Sequence, residues 1–170
     1  MSIQEFNQLP EKEALDALFA CCGSTIWAEN LVEKRLFTSL DELKEISDIL
    51  WDQTIENDWM EAFSHHPKIG DLKSLEKKFA STASWASGEQ ASVSHASTEV
   101  IEKLAKGNAA YEEKFGFIFI VCATGKSAPE MLEILEARLS HEKERELQIA
   151  ANEQNKITHL RLDKLFSSIM

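Results

Sequence analysis

At 170 residues and 44% hydrophobic, the chain is long enough to bury one sizeable core and short for two, which predicts a single domain spanning residues 1–170. A formal net charge of −11 argues against nucleic acid and anionic membrane partners, since both require clustered Lys and Arg to neutralise phosphate. No window reaches the ~20 apolar residues of a membrane helix. The opening Met1-Ser2-Ile3-Gln4-Glu5-Phe6 lacks the basic-then-apolar pattern of an export signal, and Ser168-Ile169-Met170 does not match the Ser-Lys-Leu peroxisomal address. Cys21, Cys22 and Cys122 form neither a disulfide framework nor a CxxC pair, so a reducing, cytoplasmic setting is expected.

In chain order, a first helix is expected from Pro10 to just before Gly23, with Ala14, Leu15, Leu18 and Phe19 as its buried stripe. Ser39-Leu40-Asp41-Glu42 has the form of a capping box and opens a helix through Leu43, Ile46 and Leu50 to about Trp51. A further helix through Trp59, Met60, Ala62 and Phe63 should stop near His66, because Pro67 disfavours the α conformation in the residue before it. Between about Ala80 and Thr98 the composition turns to Ser, Thr, Ala and Gly without apolar period, which reads as a polar loop or a pair of short turns. Gly116-Phe117-Ile118-Phe119-Ile120-Val121-Cys122 has strand propensity but no partner strand elsewhere, so it reads as a short, buried, extended or irregular segment. Ser127-Ala128-Pro129-Glu130 repeats the capping signature before a helix carrying Met131, Ile134, Leu135 and Leu139. The last helix is expected from about His141 to Phe166, burying Leu147, Ala150, Ile157, Leu160 and Leu165. The pattern predicts an all-α, compact bundle of about eight helices with one extended segment near 116–122.

Three places could carry chemistry. His65 and His66 sit at a helix C-terminus beside a turn, where the helix dipole favours the protonated ring and keeps a histidine titratable near neutral pH; a plain helix stop is the alternative. At about 100° per residue, Arg161 falls roughly 40° from Ile157, on or beside the apolar stripe. It must snorkel to the edge, pair with an internal carboxylate, or face a cavity that binds an anion. Glu89 is a lone carboxylate in the polar loop, which composition alone reads as a solvated side chain. The five histidines lack HxxxH or CxxC spacing, so no metal site is expected, and Gly125-Lys126-Ser127 lacks the upstream glycine of a phosphate loop.

Several spaced motifs occur together in order: His66-Pro67-x-Ile69-Gly70-Asp71, Glu89-Gln90-Ala91, Asn108-Ala109-Ala110-Tyr111, Lys114-Phe115-Gly116-Phe117-x-Phe119-Ile120, Gly125-Lys126, Arg138-Leu139 and Leu160-Arg161-Leu162. With Trp27, this set closely resembles the OHCU decarboxylases over nearly the whole chain. That family converts 2-oxo-4-hydroxy-4-carboxy-5-ureidoimidazoline (OHCU) to (S)-allantoin and CO2 at the end of urate breakdown. The resemblance implies His66 and Glu89 as the catalytic pair. It implies Pro67, Ser87, Gln90, Phe117, Phe119, Ile120 and Arg161 as the substrate-binding set, with backbone groups of the Phe117–Ile120 segment contacting the substrate ring. It further implies a small-molecule substrate, no cofactor and a homodimer. Many relatives carry serine where this chain has Ala86, with Ser87 the nearest hydroxyl. Two other readings of the same residues are a lyase or hydrolase of another ureido compound and a non-catalytic helical interaction module.

Overall fold

The computed structural model describes residues 1–66 and 90–167, and of 90–97 the backbone alone. It is all-α. The described residues form eight helices and no strand: α1 (Ile3–Gln8), α2 (Glu11–Cys21), α3 (Thr25–Glu33), α4 (Leu40–Asp52), α5 (Glu56–Ser64), α6 (Gln90–Phe115), α7 (Ala128–Leu139) and α8 (Lys143–Leu165). They pack as two compact units. The first comprises Met1–His66, Ile120–Cys122 and the chain from Ile149 onward; the second comprises 90–119 and Ala123–Gln148.

Local chemistry sets the helix starts. Ser24, Ser39 and Ser127 each turn a side-chain oxygen onto the backbone N–H three residues on, satisfying a donor that the first helical turn leaves orphaned. Glu42 does not complete the reciprocal box on Ser39. It accepts instead from the backbone N–H and hydroxyl of Thr38, at 3.2 and 3.0 Å. Pro10 precedes the first turn of α2 as expected, whereas the short α1, capped by Ser2, was not foreseen.

In the first unit α3 packs against α2, α4 and α5. Trp27 is buried at its centre and donates its indole N–H to the buried Ser47 hydroxyl at 3.1 Å. Trp51 donates to the carbonyl of Ala151 in α8, also at 3.1 Å. The Glu61 carboxylate of α5 accepts from the N–H and hydroxyl of Thr25, at 2.9 and 2.6 Å, tying the end of α5 to the start of α3. Phe6 is fully buried between Phe37 and Phe166, with ring centroids 6.3 and 5.4 Å away.

In the second unit α6 packs against α7. Gly116, with φ of 82°, ends α6 through a 2.8 Å bond from its N–H to the Glu112 carbonyl, a conformation that favours glycine at a helix C-terminus. The chain then runs without regular structure to Ser127, with Phe117, Ile120 and Cys122 buried, in keeping with the irregular segment anticipated there.

Two expectations are corrected. The polar stretch read as a loop to Thr98 is helical from Gln90; its earlier part, 80–89, lies outside the described residues. A helix costs little to extend once nucleated, and the strongly periodic stretch from Ile101 supplies the nucleus. On α8, Leu147 and Ala150 are buried as expected, but Leu160 is 41% exposed and Ile157 and Leu165 are half-buried. The buried face runs instead through Ala151, Gln154, Thr158 and Leu162. It is rotated because the polar members satisfy one another by hydrogen bonds, which removes the usual penalty for burying them.

Candidate active site

The end of α5 places the two histidines. His65 and His66 turn their backbone N–H groups onto the carbonyls of Ala62 and Phe63, both at 3.2 Å, closing the helix at the expected point. The rings then diverge. His65 lies edge-on against Phe19 with centroids 4.8 Å apart, above Gly23. A Cβ built on Gly23 would stand 2.6 Å from the Cβ of His65, so only glycine permits this approach.

The half-buried His66 ring turns toward α8, where Nε2 hydrogen-bonds the side-chain oxygen of Gln154. Gln154 in turn donates to Thr158 Oγ1 at 3.1 Å, and Thr158 donates to the Gln154 carbonyl at 2.9 Å. Arg161 is on the same face, since seven residues of helix bring it to within about 20° of Gln154. Its guanidinium reaches the Cys21 carbonyl at 3.5 Å.

The electrostatics differ from the sequence expectation. The helix terminus was expected to favour protonated His66; instead its pKa is lowered from the ordinary 6.5. Burial is the main cause. The Gln154 bond opposes it, and the positive charges of Arg161 and His65 add to it. Neutral imidazole is therefore the resting form. Burial also pushes the thiols of Cys21 and Cys22 up to about 11, so both stay protonated and unreactive at neutral pH.

His66 and Arg161 thus share one neighbourhood, with Ile120 buried in the same unit. Phe117 and Phe119 belong to the second unit, where both rings pack against buried Tyr111 at 5.7 and 5.2 Å. Pro67, Ser87 and Glu89 lie outside the described residues, as does the side chain of Gln90. Gln154 and Thr158 were missed. Their signal was two polar residues one turn apart, followed by Arg161 a further turn along the same face.

A second polar cluster, in the second unit, also escaped the sequence reading. Fully buried Glu146 accepts from Arg138 Nε at 2.6 Å, Tyr111 Oη at 2.5 Å and His141 Nδ1 at 2.9 Å. Burial alone would raise its pKa; hydrogen bonds from Arg138, Tyr111 and His141 outweigh that and lower it below 4.5. The Arg138 guanidinium lies 4.7 Å above the Phe119 ring centroid, a cation–π arrangement that fixes Phe119. Among the described residues no group of three or more His, Cys, Asp or Glu could hold a metal ion, and no helix is long and apolar enough to cross a membrane.

Known proteins resemble this chain along nearly its whole length. The family model described as OHCU decarboxylase matches residues 7–163. The Arabidopsis thaliana protein named uric acid degradation bifunctional protein TTL is 40% identical over 149 residues, 86% of this chain; the chain spans 45% of that relative. The 2-oxo-4-hydroxy-4-carboxy-5-ureidoimidazoline decarboxylase of Haloferax volcanii is 28% identical over 99% of this chain and 98% of its own. A crystal structure of OHCU decarboxylase in the presence of (S)-allantoin is 38% identical and covers 90% of this chain and 99% of that one, with a TM-score of 0.70. The motifs, the all-α fold and these matches agree: the chain belongs to the OHCU decarboxylase family.

Proposed function

We propose that the chain decarboxylates OHCU to (S)-allantoin and CO2 in uric acid degradation, with His66 and Glu89 handling protons and Arg161 anchoring the anionic substrate. The match to the family model over residues 7–163 carries this reading. The substrate supplies its own electron sink. As its ring carbon–carboxylate bond breaks and CO2 leaves, the electron pair forms a C=C bond to the neighbouring ring carbon, and the C=N π pair moves onto the ring nitrogen, which takes a proton. Loss of the hydroxyl proton and delivery of a proton to carbon, from one face, then give a single enantiomer.

Neutral His66 suits removal of the hydroxyl proton, because a lowered pKa keeps its lone pair available at neutral pH. Arg161 offers the planar fork that suits a carboxylate or a ureido carbonyl, and its positive charge offsets the repulsion expected from a chain of net charge −11. Pro67, Ser87, Gln90, Phe117, Phe119 and Ile120 complete the substrate-binding set. The chain functions as one domain, as a homodimer and in the cytoplasm; three buried cysteines, none of them in a disulfide, fit a reducing compartment.

The deciding assay generates OHCU from urate enzymatically, adds the protein and follows circular dichroism. Because OHCU decays unaided to racemic allantoin, an excess of the S enantiomer is the expected result. Racemic product at the spontaneous rate would refute the proposal, and a different product would point to another ureido lyase or hydrolase.

A further inference from the structure

The amide of Gln154 is buried and held at both ends. Its oxygen lies against His66 Nε2, and its nitrogen lies 3.1 Å from Thr158 Oγ1. Thr158 has one hydroxyl hydrogen, and it is directed to the Gln154 backbone carbonyl at 2.9 Å. With its hydrogen so placed, the hydroxyl accepts from the amide nitrogen. An amide turned the other way would hold that hydroxyl only by drawing its hydrogen off the Gln154 carbonyl. In the arrangement present the amide oxygen faces the imidazole, and an oxygen there demands a hydrogen on Nε2.

We propose that Gln154 is a positioning residue for the decarboxylation, holding His66 as its Nε2–H tautomer and so making Nδ1 the nitrogen whose lone pair takes the substrate proton. No described residue hydrogen-bonds Nδ1. Arg161 and His65 are the charged or titratable groups that act on the ring among the described residues, and both disfavour a second proton. The inference rests on His66 being the proton-transfer group proposed above.

Long-range proton–nitrogen NMR on the 15N-histidine-labelled chain, above the titration of His66, reads the tautomer directly. The expected spectrum has a protonated Nε2 and an unprotonated Nδ1. Gln154→Met keeps the volume and removes the acceptor; it should give mixed tautomers and lower kcat by about tenfold or more, with KM within roughly twofold. Gln154→Glu keeps an acceptor, so Nε2–H should persist while the acid limb of kcat/KM moves up by about one to three pH units. A wild-type spectrum dominated by Nδ1–H would overturn the proposal, as would Gln154→Met with wild-type spectrum and kcat. Should Gln154→Met fail to fold by circular dichroism, the wild-type spectrum and Gln154→Glu still decide. Full activity in His66→Ala removes the parent assignment instead, and leaves the tautomer measurement intact.

Discussion

His66 is pulled two ways, and the balance sets how the site responds to acid. Burial and the nearby positive charge of Arg161 favour the neutral ring, while its bond to Gln154 favours the charged one; the net pKa is below 6.5. If neutral His66 is the active form, kcat/KM is level at neutral pH and falls only below 6.5. Arg161→Met removes a charge that disfavours protonation. It should raise KM and shift the acid limb upward, toward 6.5; a limb that stays in place would mean that His66 is not the group being titrated. His66→Ala should lower turnover by about 10²-fold or more without changing the helical dichroism. Turnover near the wild-type rate would remove His66 from the mechanism. The position of His66 was legible in sequence because proline restricts its predecessor locally. Its charge state was not, since that depends on groups distant in sequence, at Gln154 and Arg161.

Helix beginnings were legible for the same local reason. Ser39 and Ser127 cap α4 and α7 as the motifs implied, because a serine oxygen needs only the backbone three residues ahead. The buried face of α8 was not, since apolarity alone selected Ile157 and Leu160 over Gln154 and Thr158. Burial of the latter pair depends on a network that includes a residue 88 positions away. Ser87 and Glu89 belong to a stretch where only the family pattern gave guidance. Gly23 shows a third kind of dependence, between a connection and a distant helix end. Gly23→Ala would force its new Cβ against the Cβ of His65, an atom that cannot swing aside as a flexible side-chain end could. The expected cost is about 1–3 kcal/mol by urea denaturation, with a fall in turnover as the end of α5 shifts. Unchanged stability and turnover would show that the α2–α3 connection yields freely.

At the scale of the molecule, two buried polar groupings do different work. The Glu146 cluster in the second unit carries the larger stake in stability, because removing Arg138 leaves a buried carboxylate without its guanidinium partner. Arg138→Met should cost about 3–5 kcal/mol in urea denaturation, and a loss below 1 kcal/mol would mean that water reaches Glu146. Acid should act on both groupings in the same direction. His66 has a lowered pKa, so its contribution is complete above 6.5 and declines as pH falls toward its native value. The stability due to Glu146 is present above 4.5 and is lost as pH falls through its depressed native pKa. Denaturation midpoints measured between pH 8 and 3 should therefore decline in two stages. In His66→Ala the earlier stage should disappear.

Gln154, Thr158 and Arg161 all project from one unbroken helix, and this makes α8 a ruler. Inserting a single residue between Thr158 and Arg161 would swing the guanidinium about 100° away from the imidazole's side and advance it 1.5 Å. An insertion of seven would return it almost to its old bearing, but about two turns too far along. Length variation in this stretch can therefore preserve direction or reach, but not both.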